Sequence, residues 1–322
     1  MNKILIIQTA FIGDAILSTS VAEELHEVFP NASITLLIRK GNESLFDEHP
    51  FIRVWTHNKA DKYNSLFSLL KKIRNEKFDA VINLHRYSSS AMLTVLSGAN
   101  IKVGFQSIFS FFMNYSVKHA FNQGVHEINR YHSLTKYITQ QDKIFLPKLY
   151  PQPKHFEKVK EFVKNEYVCL FPSSVWATKQ LPPHKWVELI NRFSDKTVIY
   201  LCGASADKNL CEYILQQSKK ENIKNIAGQL SLIETAALMA TAKRCYVNDS
   251  APLHIASALN TPITAFFCST VTNFGFYPLS ADSQVLEVEN LSCRPCGVHG
   301  HKECPKKYFE CGLKININEA KL

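Results

Sequence analysis

Apolar positions along this chain alternate between two textures. Short β-type runs at Ile4–Ile7, Ser33–Ile38, Val54–Thr56, Ala80–Asn83 and Lys102–Phe105 read as buried strands. Longer segments of helical period lie at Asp14–Val28, Tyr63–Asn75, Ser88–Leu96 and His126–Ile138. In the second of these, YNSLFSLLKKIRN, residues Leu66, Leu69, Leu70 and Ile73 fall on one stripe, which is helical spacing. Strands alternating with helices predict an α/β protein with parallel sheets covered on both faces.

Around Leu146–Lys154, LPKLYPQPK, three prolines fall within nine residues and the apolar period vanishes, the signature of a linker. The alternation then restarts. Strands are predicted at Val168–Phe171, Thr197–Leu201, Asn225–Ile226, Arg244–Val247 and Ile263–Phe266. Helices are predicted at His184–Phe193, Ala206–Lys219, Leu232–Ala240 and Ala251–Leu259. The pattern predicts two Rossmann-like domains, residues 1–150 and 151–322, with a cleft between them. In open α/β sheets ligands bind at the carboxyl ends of strands. Three polar turns sit at such ends: the one carrying Asp14, the one after Phe171, and NDSAPLH after Val247.

Composition changes this picture little. The 322 residues are 46% hydrophobic and 20% charged, ordinary for a globular protein, and a net charge of +9 suits an anionic partner as well as a plain basic surface. No signal peptide and no apolar stretch of spanning length is visible, so a cytoplasmic protein is expected, in peripheral contact with the inner face of the membrane at most. The nine cysteines then read as reduced thiols apart from any metal site.

Candidate chemistry begins at QTAFIGDAILSTS, Gln8 to Ser20. It is a strand–turn–helix of phosphate-binding type, but with a single glycine and an aspartate that would repel a phosphate. Asp14 there is either a helix cap or a working carboxylate. In VNDSAPLHIASAL, Asp249 or Ser250 can cap a helix with Pro252 in its first turn. The same helix start can hold a diphosphate, with His254 one turn in as a donor. In FPSSVWATKQLPPHKW, Lys179 is either a surface residue or a point charge for a leaving diphosphate. Absence of G-x-G-x-x-G and of G-x-x-x-x-G-K-[ST] disfavours nicotinamide redox chemistry and P-loop hydrolysis. Cys293, Cys296, Cys304 and Cys311, spaced C-x2-C-x7-C-x6-C with His299 and His301 between, fit either a structural zinc or free thiols.

In the order and spacing of these pieces the chain resembles glycosyltransferase family 9, the lipopolysaccharide heptosyltransferases. The resemblance rests on IGDAILSTS, SGANIKVGF, HEINRYHSL, WATKQLPPHKW, AGQLSLIETAALMATA, VNDSAPLHIASALNTPITAFF and the C-x2-C tail, and runs nearly end to end. It implies the GT-B fold, with the acceptor on the N-terminal domain and the nucleotide-sugar on the C-terminal one. It implies inverting transfer of a sugar, typically heptose, from an ADP-sugar to a lipopolysaccharide-core acceptor, with no metal or redox cofactor and no nucleic-acid partner. By the same resemblance Asp14 is the catalytic base, and Lys179, Ser173 and Ser174 contact the diphosphate. Asp249, Ser250, Ala251 and His254 match the D-[ST]-G-x-x-H nucleotide segment, Leu230 lines the adenine, and Asp207 takes the ribose. The chain departs from the pattern at Ala251 and Cys268, where glycine is usual, at Gln8, where a basic residue is common, and at Phe11. Two rival readings remain: a nucleotide-sugar enzyme of the same fold, such as an epimerase, and a non-enzymatic anion-binding protein.

Overall fold

The computed structural model describes residues 1–58, 64–121 and 123–322. The expected helix start at Tyr63 lies outside them. Internal contacts divide the chain into two units, Met1–Tyr150 and Pro151–Leu322.

The first unit runs β1 (Lys3–Gln8), α1 (Ile12–Leu17), α2 (Thr19–Val28), β2 (Ser33–Arg39), β3 (Ile52–His57) and α3 (Asn64–Glu76). It continues with β4 (Ala80–Asn83), α4 (Ser88–Leu96), β5 (Ile101–Phe105), β6 (Tyr115–Val117) and α5 (Glu127–Thr139). The strands form one parallel sheet in the order β3-β2-β1-β4-β5-β6. Ile4, Leu5, Ile6 and Ile7 are all fully buried, as a central strand covered on both faces requires. The stripe on α3 packs onto the sheet: Leu69 and Ile73 join Leu5, Leu37, Trp55 and Val81, with Leu66 and Leu70 alongside.

The single helix expected over residues 14–28 is interrupted at Ser18. The cause is legible in STS. The hydroxyls of Ser18, Thr19 and Ser20 donate back to the carbonyls of Ala15, Ile16 and Leu17 at 2.7, 2.8 and 2.8 Å. Such bonds compete with the helical ladder and bend it. Strand β6, three residues at the sheet edge, has no hydrophobic run to announce it.

The second unit runs α6 (Pro153–Val159), β7 (Tyr167–Phe171), α7 (Pro183–Arg192), β8 (Val198–Leu201), α8 (Lys208–Gln217) and β9 (Ile223–Asn225). Then come α9 (Leu232–Ala240), β10 (Arg244–Asn248), α10 (Ala251–Leu259), β11 (Ile263–Phe267), β12 (Ser283–Glu287) and α11 (Glu310–Leu313). Its parallel sheet, β12-β11-β10-β7-β8-β9, repeats the order of the first when read from the other edge. Of the three linker prolines, Pro153 instead opens α6 at its first position, where a missing N–H costs nothing. Trp186 on α7 meets Phe266 of β11 edge-on, with ring centroids 5.2 Å apart. The end of the chain joins this core through Cys311, Ile315, Ile317 and Ala320. Tyr246 Oη donates to the Lys321 carbonyl at 2.6 Å and Arg192 Nη1 to that of Ala320 at 3.2 Å, fastening the last residues down.

Candidate active site

In the first unit the turn after β1 carries Asp14. The N-cap of α1 is Phe11, so Asp14 is the third helical residue rather than the cap that its local sequence also allowed. Its carboxylate accepts from the backbone N–H groups of Phe11 and of Asp14 itself. The group is half-buried, and desolvation together with the nearby Glu127 charge pushes its pKa up to about 7, against a smaller pull from Arg86.

Glu127 is buried at the first position of α5. Its two oxygens lie 3.1 and 3.2 Å from His119 Nε2, and Arg130 Nη1 also donates to it. Burial alone would raise the Glu127 pKa, but His119 and Arg130 outweigh it and hold the carboxylate low and charged. A fixed negative charge therefore stands behind Asp14. Gln8 is buried as well, donating to Tyr131 Oη at 2.8 Å and accepting from Ala10 N–H at 3.2 Å. A lysine, with donors only, could not do both.

In the second unit the polar turns gather at the carboxyl end of the sheet. Lys179 closes a short 3-10 turn, Ala177–Lys179, and its Nζ lies 2.6 Å from Asp249 Oδ2. Thr270 Oγ1 donates to the same oxygen at 2.6 Å. Burial pushes the Asp249 carboxyl up, but Lys179 and Thr270 more than reverse this and hold it below the usual range. Ser250 takes the N-cap position of α10, but its hydroxyl donates back to the Asn248 carbonyl at 3.3 Å and caps nothing. Ala251 follows, half-buried, and His254 is buried one turn further, edge-on to Phe276.

Asn248, fully buried, ties the turns together. Its Oδ1 accepts from Leu181 N–H at 2.9 Å. Its Nδ2 donates to the Pro172 and Ser173 carbonyls at 2.9 and 3.4 Å. Ser173 and Ser174 thus stand on a backbone held from β10. Two further turns meet beside them, as Gly228 N–H donates to the Gly203 carbonyl at 2.9 Å. Gly228 has a φ of +77°, and a Cβ there would lie 2.6 Å from Ser205 Oγ. Leu230, half-buried, follows Gly228 just before α9. Asp207 accepts from Ala204 N–H at 2.8 Å, so one of its oxygens serves its own turn.

The tail reaches this site. Thr178 N–H donates to the His301 carbonyl at 3.1 Å, and His301 N–H donates to Thr178 Oγ1 at 2.8 Å. His299 stacks on Trp176. Gly300, at a φ of +80°, lies so close that a Cβ would sit 2.9 Å from Thr178 Oγ1 and 3.3 Å from Lys179 Cγ. From the other side Arg294 Nε donates to the Thr270 carbonyl at 2.9 Å, and Cys296 N–H to that of Ser269. The Lys179–Asp249 pair is therefore bracketed by the segment 294–301. Cys293, Cys296 and Cys304 are half-buried and Cys311 is buried. Among the described residues no group of three or more His, Cys, Asp or Glu is gathered closely enough to hold a metal ion.

Sequence reasoning thus reached Asp14, Lys179 and Asp249 but gave no role to Glu127, Arg130, Asn248 or Thr270. HEINRYHSL and VNDSAPLH contain three of these four, yet no spacing rule connects Asn248 to a loop some seventy residues upstream.

With the geometry in hand, comparison with known proteins gives a consistent result. The model of glycosyltransferase family 9 (heptosyltransferase) matches residues 66–307. Lipopolysaccharide heptosyltransferase 3 of Escherichia coli K12 is 27% identical over 278 residues, 80% of each chain. Among solved structures, a glycosyltransferase family 9 protein of Veillonella parvula superposes with a TM-score of 0.80 at 20% identity, covering 89% of this chain and 86% of that one. The E. coli ADP-heptose lipopolysaccharide heptosyltransferase II superposes with a TM-score of 0.77 at 20% identity, covering 97% of each.

Proposed function

Since this chain belongs to glycosyltransferase family 9, the heptosyltransferases, we propose that it moves a heptose from an ADP-sugar to a lipopolysaccharide-core acceptor with inversion at the anomeric carbon. The observation that carries the reading is the Asp14 carboxyl, set in the first turn of α1 with its pKa raised to about 7. A general base is most effective when its pKa lies near the working pH. In this mechanism Asp14 takes the proton of the acceptor hydroxyl as that oxygen attacks the anomeric carbon. The bond to the diphosphate oxygen breaks, and ADP leaves with the electron pair.

The second unit supplies the electrostatics. The Lys179 ammonium, held by Asp249, and the amino end of α10, left uncapped by Ser250, both favour the charge that grows on the leaving diphosphate. Ser173 and Ser174 contribute donors from the β7 turn, Ala251 and His254 line the start of α10, and Leu230 and Asp207 flank the nucleoside. Support for this assignment is the meeting of these turns at one end of one sheet, which is where open α/β sheets bind ligands.

Among ADP-, UDP- and GDP-sugars, the ADP-sugar alone should raise the melting temperature, since a ligand that binds only the folded state stabilises it. ADP release should require acceptor. Conversion of donor without acceptor would identify an epimerase instead. Asp14→Asn should lower kcat by about 10²–10⁴-fold, the range expected of general-base assistance, while leaving ADP affinity within twofold or so. Full activity in that variant would remove Asp14 from the reaction.

A further inference from the structure

The first unit carries an exposed aromatic loop that holds none of the residues assigned above to the transfer reaction. It leaves β5 at Phe105, the same end of the sheet at which the Asp14 turn leaves β1, and returns to β6 at Tyr115. Its tip is a short 3-10 turn, Ser110–Phe112, with Phe111 set edge-on to Phe112 at 5.4 Å between ring centroids. Ile108 is 83% exposed, Phe111 91% and Phe112 62%. Three large apolar side chains within five residues, all turned to solvent, are a local concentration that scattered surface hydrophobics do not produce.

The backbone beneath them is firm. Ser107 N–H donates to Ser110 Oγ at 2.7 Å, Ser110 Oγ to the Ser107 carbonyl at 2.8 Å, and Asn114 N–H to the Lys102 carbonyl at 2.9 Å. The side chains are thus presented on a tied turn.

Charge selects the occupant. The sequence from Ala80 to His126 contains no Asp or Glu, while Lys102 is bonded to Asn114 at one flank of the loop and the exposed Lys118 follows β6 at the other. Apolar tips with aromatic rings, flanked by lysines and with no acid in the loop itself, are what an anionic bilayer surface attracts. The rings enter the acyl boundary and the ammonium groups meet the headgroup phosphates. We propose that the Ile108–Phe112 loop, with Lys102 and Lys118, docks this protein on an anionic phospholipid membrane. This goes beyond the transfer reaction and holds whether or not Asp14 is the base.

The experiment is flotation of the full chain with vesicles of phosphatidylglycerol and phosphatidylethanolamine, against vesicles of phosphatidylcholine alone. The chain should float with the anionic vesicles only. The double substitution Phe111→Ser, Phe112→Ser should weaken that binding on the order of tenfold or more, from the apolar area withdrawn from lipid. Its turnover on a water-soluble acceptor lacking the lipid should match that of the unaltered chain. Lys118→Glu, at an exposed position, should weaken anionic binding independently and keeps the test decisive if the aromatic variant misfolds. Equal flotation of the unaltered chain and of both variants overturns the proposal. So does failure of the unaltered chain to bind anionic vesicles. Self-association that the aromatic substitutions abolish, without any vesicle binding, would make the loop a protein interface instead.

Discussion

At the residue scale the two units treat their carboxylates in opposite ways. Asp249 is held charged by Lys179 and Thr270, whereas Asp14 is pushed up to about 7 by burial and by Glu127. In the proposed mechanism Asp14 must be ionised to accept the proton, so kcat should rise with pH through about 7 and level off above it. Glu127→Gln removes the charge that raises Asp14 and leaves the opposing pull of Arg86 in place, so the rising limb should move to lower pH. An unshifted limb would dissociate the two groups.

The stability consequence has its own sign. A carboxyl whose folded pKa exceeds its unfolded value contributes stability below the unfolded value and loses it as pH rises through about 7. Asp14→Asn should therefore melt higher than the unaltered chain at pH 8, with the difference shrinking toward pH 4. Lys179→Met should act the other way, leaving Asp249 buried and unpaired. Breaking such a pair costs about 3 kcal/mol, readable in thermal unfolding, and donor KM should rise with it. Asp14, Lys179 and Asp249 were legible because each sits in a short motif beside a predicted strand. Glu127 was not, because its influence on Asp14 acts between residues more than a hundred positions apart.

At the element scale, the feature that the sequence left open is the tail. Its cysteine spacing fits either a structural zinc or free thiols, and beside those cysteines the fold displays a backbone clamp: Thr178 and His301 bonded to each other, with Gly300 pressed against the Lys179 stem. Gly300→Ala places a Cβ where there is no room and imposes a left-handed backbone on alanine, a strain of about 1–3 kcal/mol. Donor KM should increase while the acceptor KM stays constant. An unchanged donor KM would make the clamp a purely structural fastening. The main helices and strands were readable because apolar period fixes them. The boundaries that moved, at Ser18 and at β9, did so where side-chain hydroxyls or short strands carry too little hydrophobic signal.

At the scale of the whole molecule, two units of like strand order share one chain and keep separate cores. Unfolding should then proceed in two transitions, and ADP should raise only the one belonging to Pro151–Leu322, as calorimetry with and without ligand would reveal. A single transition shifted as a whole would mean that the units unfold together.

The shared strand order also bears on synthesis at the ribosome. In each sheet the first strand lies at the centre, and it is closed on its second side only by the fourth. Lys3 waits for Asp79, 76 residues on, and Phe171 waits for Asn248, 77 residues on. Twice during translation, therefore, a greasy central strand emerges long before its last neighbour exists. Loop closure over such distances is slow, and chaperone demand should peak twice along the chain, once for each waiting strand.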